Sequence, residues 1–364
     1  MSEQDRTVVR TVTAGSTSFL LREQPGGTGT PVLLLHGVPE TASAWRDLAP
    51  RLAAERRVLA PDLPGLGGST FTGPYDVPTL VGELAALLES EVPGERVDVV
   101  GHDWGGSLAL ALAGARPDLV RRLVVANAPY RSVPLRAVHI PFFALPGLPQ
   151  LVLKLAGRRV VDLTFALAWK ADTALHAESL AEYRAAYSKS SVVMAMLGYY
   201  RAATRPRIAR ALTPGGEKTP VPRVRAEKAL VLWGAADPIL PVATGEAVVR
   251  DLGADCVMVT VPGAGHFVVE EAPDVVAEVL VDFLADEQTR EPAVHAAPPE
   301  KPGEEHEPME PPPAVLTAPP VTAKKAPATK AAAKRAPAKS KAPAKKAAAK
   351  KAPAKEVPPS SGTS

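Results

Sequence analysis

Residues 101–106 read Gly101-His-Asp-Trp-Gly-Gly, a small-residue turn around an aspartate. A Val-rich run at residues 96–100 precedes it and predicts a strand, and a helical pattern begins at residue 107. A sharp turn between a strand and a helix exposes its central side chain and needs small neighbours, because the two elements pack closely there. Asp103 holds the central position and is therefore a candidate nucleophile. The alternative is that Asp103 only caps the helix, a common use of aspartate, and the motif alone leaves both open.

Short runs rich in Val and Leu recur on both sides of this turn, and helical patterns separate most of them. The strand-like runs lie at residues 31–35, 57–60, 96–100, 123–126 and 229–233. Continuous apolar strands that alternate with helices are typical of an α/β fold with a mainly parallel sheet covered on both faces. The alternation stops after Pro129, and the residues up to 222 have helical patterns broken by prolines. Helices inserted there predict a cap over the carboxyl ends of the strands, where open α/β sheets bind ligands.

The sequence therefore predicts four segments. They are the first part of an α/β core at residues 1–129, a helical cap at residues 130–222, the second part of the core at residues 223–288 and a disordered tail at residues 289–364. The tail is assigned by its composition, since nearly every residue is Pro, Ala, Lys, Glu, Ser or Thr and none is aromatic. Such a segment buries too little apolar surface to offset the entropy of ordering it.

Charge is segregated within the chain. Residues 323–355 hold 12 Lys or Arg and no acid, so the net charge of +3 becomes −9 without that stretch, from 30 basic and 39 acidic residues. An acidic globular part gives no electrostatic reason to expect nucleic-acid binding there. The Lys-rich repeats resemble the tails of linker histones and bacterial histone-like proteins, which bind DNA through charge without sequence specificity. The alternatives for this tail are weak non-specific nucleic-acid contact and a solubilising extension.

Several features bear on where the protein works. Cys256 is the single cysteine, so an internal disulfide is excluded and a reducing compartment is favoured. Residues 1–7 contain no apolar segment, and we expect no signal peptide. The longest apolar stretch, residues 133–155, carries Arg136 and His139 and is broken by prolines, which argues against a membrane span. The sequence thus predicts a cytoplasmic protein and leaves its oligomeric state open.

Further candidates follow other strands at the same edge of the predicted sheet. His36-Gly-Val-Pro comes after the first long strand, and its turn can direct the Val38 backbone N–H into the site beside that of Trp104. Two such donors would form an oxyanion hole. Asp237 follows a later strand and His266 follows the last one, so nucleophile, acid and histidine occur in the order expected for a turn of this kind. Taken singly, Asp237 could be a turn residue and His266 a packed histidine.

With these motifs the chain resembles the α/β-hydrolase superfamily, and within it the epoxide hydrolase and haloalkane dehalogenase branch. The resemblance covers roughly residues 5–288, and the segments Gly-His-Asp-Trp-Gly-Gly and His-Gly-Val-Pro-Glu-Thr look most like epoxide hydrolases. It implies an α/β-hydrolase fold with a helical cap. It also implies a set of roles: Asp103 as nucleophile, His266 as base, Asp237 as the acid that orients His266, and Val38 and Trp104 as oxyanion donors.

An aspartate nucleophile favours particular substrates. With an ordinary pKa of about 3.9 it is ionised at neutral pH, but it is weakly nucleophilic. Attack on an acyl group would give an anhydride, which readily reverses, whereas attack on strained or halide-bearing sp3 carbon gives an alkyl ester. His266 can then activate water against that ester while Asp237 holds its ring. The expected function is therefore hydrolysis of an apolar epoxide to a diol through an ester on Asp103.

Hydrolytic haloalkane dehalogenation is the enzymatic alternative. Epoxide hydrolases donate a proton from two cap tyrosines, and the segment Leu197-Gly-Tyr-Tyr-Arg places one of them at Tyr200, for which simple packing on the core is the other interpretation. Where the second would lie the sequence has His139, which could donate if cationic but is more often structural in an apolar stretch. A dehalogenase would bind halide with the Trp104 indole N–H and an asparagine at the position of Val38, and that asparagine is missing.

The resemblance implies no cofactor and no metal. His36, His102 and His266 lack ligand spacing, and catalysis by carboxylate and histidine needs no metal. Asn127 lies where some dehalogenase relatives place their acid, and because it is uncharged it leaves that role to Asp237. A small apolar substrate is the expected partner. A hypothesis of another class is a non-catalytic protein that acts through a DNA-associating basic tail.

Overall fold

A mainly parallel sheet carries the fold. The computed structural model describes residues 7–129, 139–156, 158–211, 224–285 and 315–317, and in these residues nine strands form one sheet in the order β1-β2-β4-β3-β5-β6-β7-β8-β9. The strands are β1 Val8–Ala14, β2 Thr17–Gln24, β3 Gly29–Leu35, β4 Arg56–Pro61, β5 Val97–His102, β6 Val120–Ala126, β7 Lys228–Gly234, β8 Cys256–Val261 and β9 Val315–Thr317. The pairs β1·β2 and β2·β4 are antiparallel, and all other neighbours run parallel. The α/β class predicted from the sequence is confirmed.

The central strands are mostly apolar because both faces of the sheet are covered. Alternate residues of a strand lie on opposite faces. In β3, Leu33 and Leu35 belong to the larger cluster of buried side chains, whereas Val32 and Leu34 belong to a second cluster on the other face. The core thus lies on both sides of the sheet, as continuous apolar runs indicate.

Helices cover the sheet and fill the long insertion between β6 and β7. In the described residues the α-helices are α1 Ala49–Leu52, α2 Val77–Glu91, α3 Trp104–Ala115, α4 His139–Ala144, α5 Leu148–Ala156, α6 Arg158–Ala168, α7 Ala177–Ala186, α8 Ser190–Ala211, α9 Val242–Leu252, α10 Val268–Glu271 and α11 Pro273–Leu284. A 3-10 helix, Ala42–Trp45, precedes α1. None of the helices in this part of the chain combines the length and the apolar character that crossing a bilayer requires.

Helices α6 and α8 contact the loops that follow the strands. On α8, the Tyr199 hydroxyl donates to the Pro64 carbonyl oxygen, 2.9 Å away, after β4. At the end of α6, the Ala168 carbonyl oxygen accepts from the His266 backbone N–H, 3.1 Å away, after β8. Both loops lie at the carboxyl ends of strands, so these helices cover the edge of the sheet where the sequence places the candidate residues. Both ends of the predicted cap lie outside the described residues, and the domain boundaries stay a prediction.

One strand comes from the segment that the sequence predicts to be disordered. Val315–Thr317 pairs in parallel with residues 258–260 and forms the edge strand β9. Val, Leu and Thr suit a strand, and the edge of β8 offers partners for their backbone N–H and C=O groups. At these three residues a strand replaces the predicted disorder. Residues 286–314 and 318–364, with the Lys-rich repeats and any nucleic-acid contact through them, lie outside the described residues.

A buried carboxylate joins three strands at the amino-terminal edge of the sheet, away from the cap. Asp98 at the start of β5 accepts from Arg56 Nη1 of β4 at 3.2 Å, and from Arg121 Nε and Nη2 of β6 at 2.8 and 2.5 Å. The Asp98 side chain is fully buried and that of Arg56 nearly so. A buried charge of this kind is tolerated only when its partners are in place. Ion pairs therefore stabilise the amino-terminal ends of these strands. The candidate site lies at their carboxyl-terminal ends.

Candidate active site

Asp103 lies in a sharp turn between β5 and α3. Its backbone has φ 47° and ψ −117°, an unfavourable conformation for a residue with a side chain. Two glycines make the turn possible, since a Cβ on Gly101 would lie 2.3 Å from the Gly105 carbonyl oxygen and a Cβ on Gly105 would lie 2.0 Å from the Leu35 carbonyl oxygen. The Asp103 carboxylate makes no capping hydrogen bond to α3. The helix-cap interpretation of this residue therefore loses its physical basis.

The two carboxylate oxygens of Asp103 have different surroundings. Oδ2 accepts from the Val38 backbone N–H at 3.0 Å, and Oδ1 lies 3.8 Å from His266 Nε2. The loop can come this close because Gly37 has no side chain. A Cβ at that residue would lie only 2.7 Å from the Asp103 Cβ. Trp104 opens α3, so its N–H belongs to the first-turn groups that have no acceptor within the helix. One oxygen is thus held by a donor, and the other faces the histidine.

His266 is held by Asp237. Nδ1 of His266 lies 2.8 Å from Asp237 Oδ2, while Oδ1 accepts from the backbone N–H groups of Ile239 and Leu240 at 2.7 and 3.0 Å. Burial alone would raise the pKa of Asp237, but the charge and hydrogen bond of His266, together with the other donors, lower it. Burial alone would lower the pKa of His266, and the Asp237 carboxylate outweighs it and raises that pKa. Asp237 thus fixes the His266 ring with Nε2 toward Asp103 and stabilises the imidazolium cation. A general base requires both.

Asn127 completes the support of Asp237. Its Nδ2 donates to Asp237 Oδ2 at 2.6 Å, and its Oδ1 accepts from the Gly234 backbone N–H at 2.9 Å. The residue is fully buried and has a φ of 36°. From the sequence we expect only that Asn127 leaves the acid role to Asp237. The structure adds that it is a neutral donor to that acid.

Tyr200 lies on α8, against the nucleophile turn. Its ring meets that of Trp104 edge to face with centroids 5.3 Å apart, and the Trp104 indole N–H donates to the phenol oxygen. Burial and then the negative charge of Asp103 raise the pKa of Tyr200, so the phenol is protonated at neutral pH. The Trp104 indole donor lowers the pKa of Tyr200, because it stabilises negative charge on the phenol oxygen. The structure thus brings a neutral phenol, with a partner for its conjugate base, to the candidate nucleophile.

The second donor expected from the sequence, His139, is the first residue of α4, and its side chain lies outside the described part of the structure. Its role stays a prediction. Another phenol does lie near Tyr200: Tyr187, which follows α7, is buried and donates to the Glu40 carbonyl oxygen at 3.2 Å. Burial and the neighbouring Tyr200 raise the pKa of Tyr187. Sequence reasoning missed Tyr187, because nothing in the local pattern separates it from an ordinary packed tyrosine.

Glu40 and His102 form a further pair beside His266. His102 Nδ1 lies 2.8 Å from Glu40 Oε2, and its Nε2 lies 2.8 Å from the His266 carbonyl oxygen. Both neighbours are acceptors, so both ring nitrogens carry protons and His102 is a cation. Burial alone would lower the pKa of His102, but the charge and hydrogen bond of Glu40 raise it to about 9. Sequence reasoning missed this pair, although both residues belong to the two motifs that carry the resemblance.

The site therefore contains an anionic carboxylate, a backbone donor on one of its oxygens, an oriented imidazole and a protonated phenol. Together these groups can attack an electrophile, protonate a leaving oxygen and activate water. In the part of the chain that the structure describes, no group of three or more His, Cys, Asp or Glu is arranged to hold a metal ion.

Comparisons with known proteins agree with the fold. The model of the alpha/beta hydrolase family matches residues 32–279. The chain is 26% identical over 277 residues to the AB hydrolase superfamily protein YfhM of Bacillus subtilis, which covers 71% of this chain and 91% of that protein. It is also 26% identical over 286 residues to epoxide hydrolase 4 of Mus musculus, covering 73% and 76%. The crystal structure of epoxide hydrolase A from Mycobacterium thermoresistibile has a TM-score of 0.63 at 27% identity, covering 76% of this chain and 98% of that chain.

The family match includes the nucleophile turn, Asp237 and His266, and it spans more than half of the chain. The sequence relative and the solved structure that are named epoxide hydrolases each align over most of their own length. The resemblance inferred from the motifs is thereby confirmed. This chain belongs to the alpha/beta hydrolase family, and it resembles members of that family that are named epoxide hydrolases.

Proposed function

We propose that this protein hydrolyses an apolar epoxide to a diol through a covalent alkyl ester on Asp103. One observation carries the proposal: the side chain at the centre of the nucleophile turn is a carboxylate, with Oδ2 on the Val38 N–H and Oδ1 3.8 Å from His266 Nε2. The relatives named epoxide hydrolases support the same reaction class. An apolar substrate suits the aromatic surroundings of Tyr200, where the Phe143 ring centroid lies 5.0 Å away.

In the first step, Asp103 Oδ1 attacks one epoxide carbon, and the bond between that carbon and the ring oxygen breaks. The leaving oxygen takes the phenol proton of Tyr200, so no free alkoxide has to form in a buried site. The Trp104 indole N–H then stabilises the phenolate. Proton donation by a positioned acid contributes about 10²–10⁴-fold to the rate. Oδ2 becomes the ester carbonyl oxygen and keeps its Val38 donor.

In the second step, His266 takes a proton from water and the hydroxide adds to Cγ of Asp103. Negative charge develops on Oδ2, where the Val38 N–H stabilises it, and one donor of this kind contributes about 3 kcal/mol. Collapse of the tetrahedral intermediate breaks the bond between Cγ and the alkyl-bearing oxygen. The diol keeps Oδ1, and the water oxygen stays in the carboxylate. The two protons of the water end on the leaving alkoxide and on the Tyr200 phenolate, which restores the enzyme.

Hydrolytic dehalogenation is the second candidate, because the carboxylate at Asp103 would form the same ester when halide leaves an sp3 carbon. The contacts around Trp104 favour the epoxide. Its indole N–H, which a halide would need, donates to Tyr200. Val38, at the position of the second halide donor, supplies a backbone N–H to the nucleophile and no side-chain donor.

The intact mass of His266→Gln tests the proposal, since loss of the base should leave the ester unhydrolysed. The variant is incubated with separate panels of apolar epoxides and haloalkanes. We expect a gain of the whole substrate mass on the Asp103 peptide with an epoxide. A gain of the substrate mass less hydrogen halide would instead show dehalogenation.

Asp103→Asn combined with His266→Gln is the matched control and should give no adduct with either panel. Incubation in ¹⁸O-labelled water adds a second check, because one turnover of the wild-type protein should place the label in the Asp103 carboxylate and not in the diol. Absence of an adduct from both panels, or a label found only in the diol, would contradict an ester on Asp103.

A further inference from the structure

Two buried carboxyl groups meet beside the histidines of the site. Glu40 lies in the loop after β3 and is fully buried, and Glu270 lies on α10 and is 8% exposed. Helix α10 packs against the 3-10 helix that follows Glu40, and the charge of each side chain acts on the other. The reaction proposed above uses neither group, and a contact between two acids in a buried site requires an explanation.

The other partners of the two carboxyl groups are unequal. Glu40 Oε2 accepts from the Gly37 backbone N–H at 2.7 Å and from the His102 ring at 2.8 Å. Glu270 Oε1 accepts from the Tyr183 hydroxyl at 3.0 Å. The remaining oxygens, Glu40 Oε1 and Glu270 Oε2, are buried, and among the described residues neither has a donor. These two atoms are the ones that a shared proton would join.

The groups that act most strongly on Glu270 are anionic or neutral. The negative charges of Glu40 and Asp47, which lie before and after the 3-10 helix, act on it, and the Tyr183 hydroxyl of α7 donates to it. Two carboxylates in contact cannot both stay ionised in such a place, so one proton has to remain. Glu40 is the anion, because it receives the backbone donor and the His102 cation, and Glu270 is the acid.

We propose that Glu270 is a positioning residue that works as a protonated carboxylic acid. It donates to Glu40 and limits the buried cluster to one negative charge, which the His102 cation balances. The rings of His102 and His266 have centroids only 5.3 Å apart, so the net charge of this cluster acts on the base of the proposed reaction. Loss of the Glu270 proton would add a negative charge that favours cationic His266, the form unable to accept a proton from water.

This arrangement has a consequence for stability that needs no substrate. Burial and then the charge of Glu40 raise the pKa of Glu270. In the unfolded chain the group has an ordinary pKa of about 4.3. Between that value and the raised folded value, the folded state holds a proton that the unfolded state has released, so the free energy of unfolding falls as pH rises. The contribution of Glu270 is complete below the unfolded pKa and is lost as pH rises through the folded pKa.

Glu270→Gln is the decisive variant, because the amide keeps a donor for Glu40 and an acceptor for Tyr183 but does not titrate. Thermal unfolding of both proteins is measured from pH 5 to pH 9. We expect the Tm of the variant, relative to wild type, to rise steadily over this range. The change of the Tm difference with pH tests the proposal even if the variant is less stable than wild type at every pH. A Tm difference that does not change with pH overturns the proposal.

Infrared difference spectroscopy provides a second readout. Wild type minus Glu270→Gln should show, at neutral pH, the carbonyl stretch of a protonated carboxylic acid. Tyr183→Phe, the matched control, removes the donor that lowers the Glu270 pKa, so it should keep that band to a higher pH than wild type. A difference spectrum with only carboxylate bands would show that Glu270 is ionised and that the proposal is wrong.

The catalytic consequence rests on the proposed function and is tested separately. Glu270→Leu removes the donor, and we expect it to slow hydrolysis of the ester, seen as build-up of the adduct, while Glu270→Gln restores most of the rate. If no substrate forms an adduct at all, the proposed function fails while the Tm and infrared results still decide the state of Glu270. If adducts form and break down as fast in Glu270→Leu as in Glu270→Gln and in wild type, Glu270 has no positioning role.

Discussion

Asp103 combines a strained backbone with a buried negative charge, and both are tolerated because neighbouring residues fit them. Gly101 and Gly105 leave room for the turn, and the Val38 N–H binds one carboxylate oxygen. The other oxygen lies too far from His266 for a hydrogen bond, at 3.8 Å. The carboxylate is therefore anchored on one side only, which leaves the other oxygen to act on a substrate.

Asp103→Asn should abolish turnover, because the amide cannot form the alkyl ester. We expect a loss of at least about 10³-fold in kcat, the size seen when a nucleophile is removed from a catalytic unit. Hydrolysis of an epoxide identified by the mass experiment is the measurement, with the far-UV spectrum and Tm as controls for folding. Activity within tenfold of wild type would place the nucleophile elsewhere.

Tyr200→Phe should slow opening of the epoxide by about 10²–10³-fold, because the leaving oxygen loses its proton donor. Pre-steady-state adduct formation measures this step directly. Tyr199→Phe is the matched control, since the neighbouring hydroxyl donates to the Pro64 carbonyl oxygen and not into the site. Equal rates of adduct formation in Tyr200→Phe and wild type would show that another group protonates the leaving oxygen.

Among the elements, strands β4, β5 and β6 depend on one carboxylate at their amino ends. Asp98→Asn should lower the free energy of unfolding by about 3–5 kcal/mol, because it leaves two arginines without their buried partner. Denaturant unfolding measures the change. The exposed pair of Arg51 and Asp274 provides the control, and Asp274→Asn should cost no more than about 1 kcal/mol. Similar costs for both variants would mean that burial of Asp98 does not matter.

The sequence predicts the strands that are mostly apolar and misses a strand that alternates with exposed positions. The runs within β3, β6 and β7 are continuous, and the Val-rich run of β5 leads into the nucleophile turn, so strand ends and site residues could be placed together. β1 has several exposed or half-buried positions, and its pairing with β2 follows from tertiary contact more than from pattern.

The supporting residues of the site could not be inferred in the same way. Glu40 and His102 are 62 residues apart in the chain, and Tyr183 and Glu270 are 87 apart. Such contacts depend on how the loops and the cap pack, which local periodicity does not encode. Asp103, Asp237 and His266 could be placed because each directly follows a strand, and their roles stay predictions that the variants above test.

Part of the surface of helices α5 and α6 is apolar. In the described residues, Leu151 and Leu155 of α5 are 54% and 77% exposed, and Leu163 and Leu167 of α6 are 58% and 61% exposed. Leu151→Gln with Leu155→Gln should change the free energy of unfolding by less than about 0.5 kcal/mol, because little buried area is lost. Light scattering at rising protein concentration should show less self-association. A loss of several kcal/mol would mean that these side chains pack against something in solution.

The short strand β9 has a consequence for how the protein should be shortened. β8 pairs with β7 on one side and with β9 on the other, so a chain that ends at residue 288 would leave the backbone groups of β8 open to pairing with another molecule. We expect that form to aggregate on storage, and a chain that ends at Ala323, which keeps β9, to remain monodisperse. Size-exclusion chromatography over several days compares the two. Equal behaviour would show that β9 is dispensable. The expected difference would show that these three residues prevent the sheets of different molecules from pairing edge to edge.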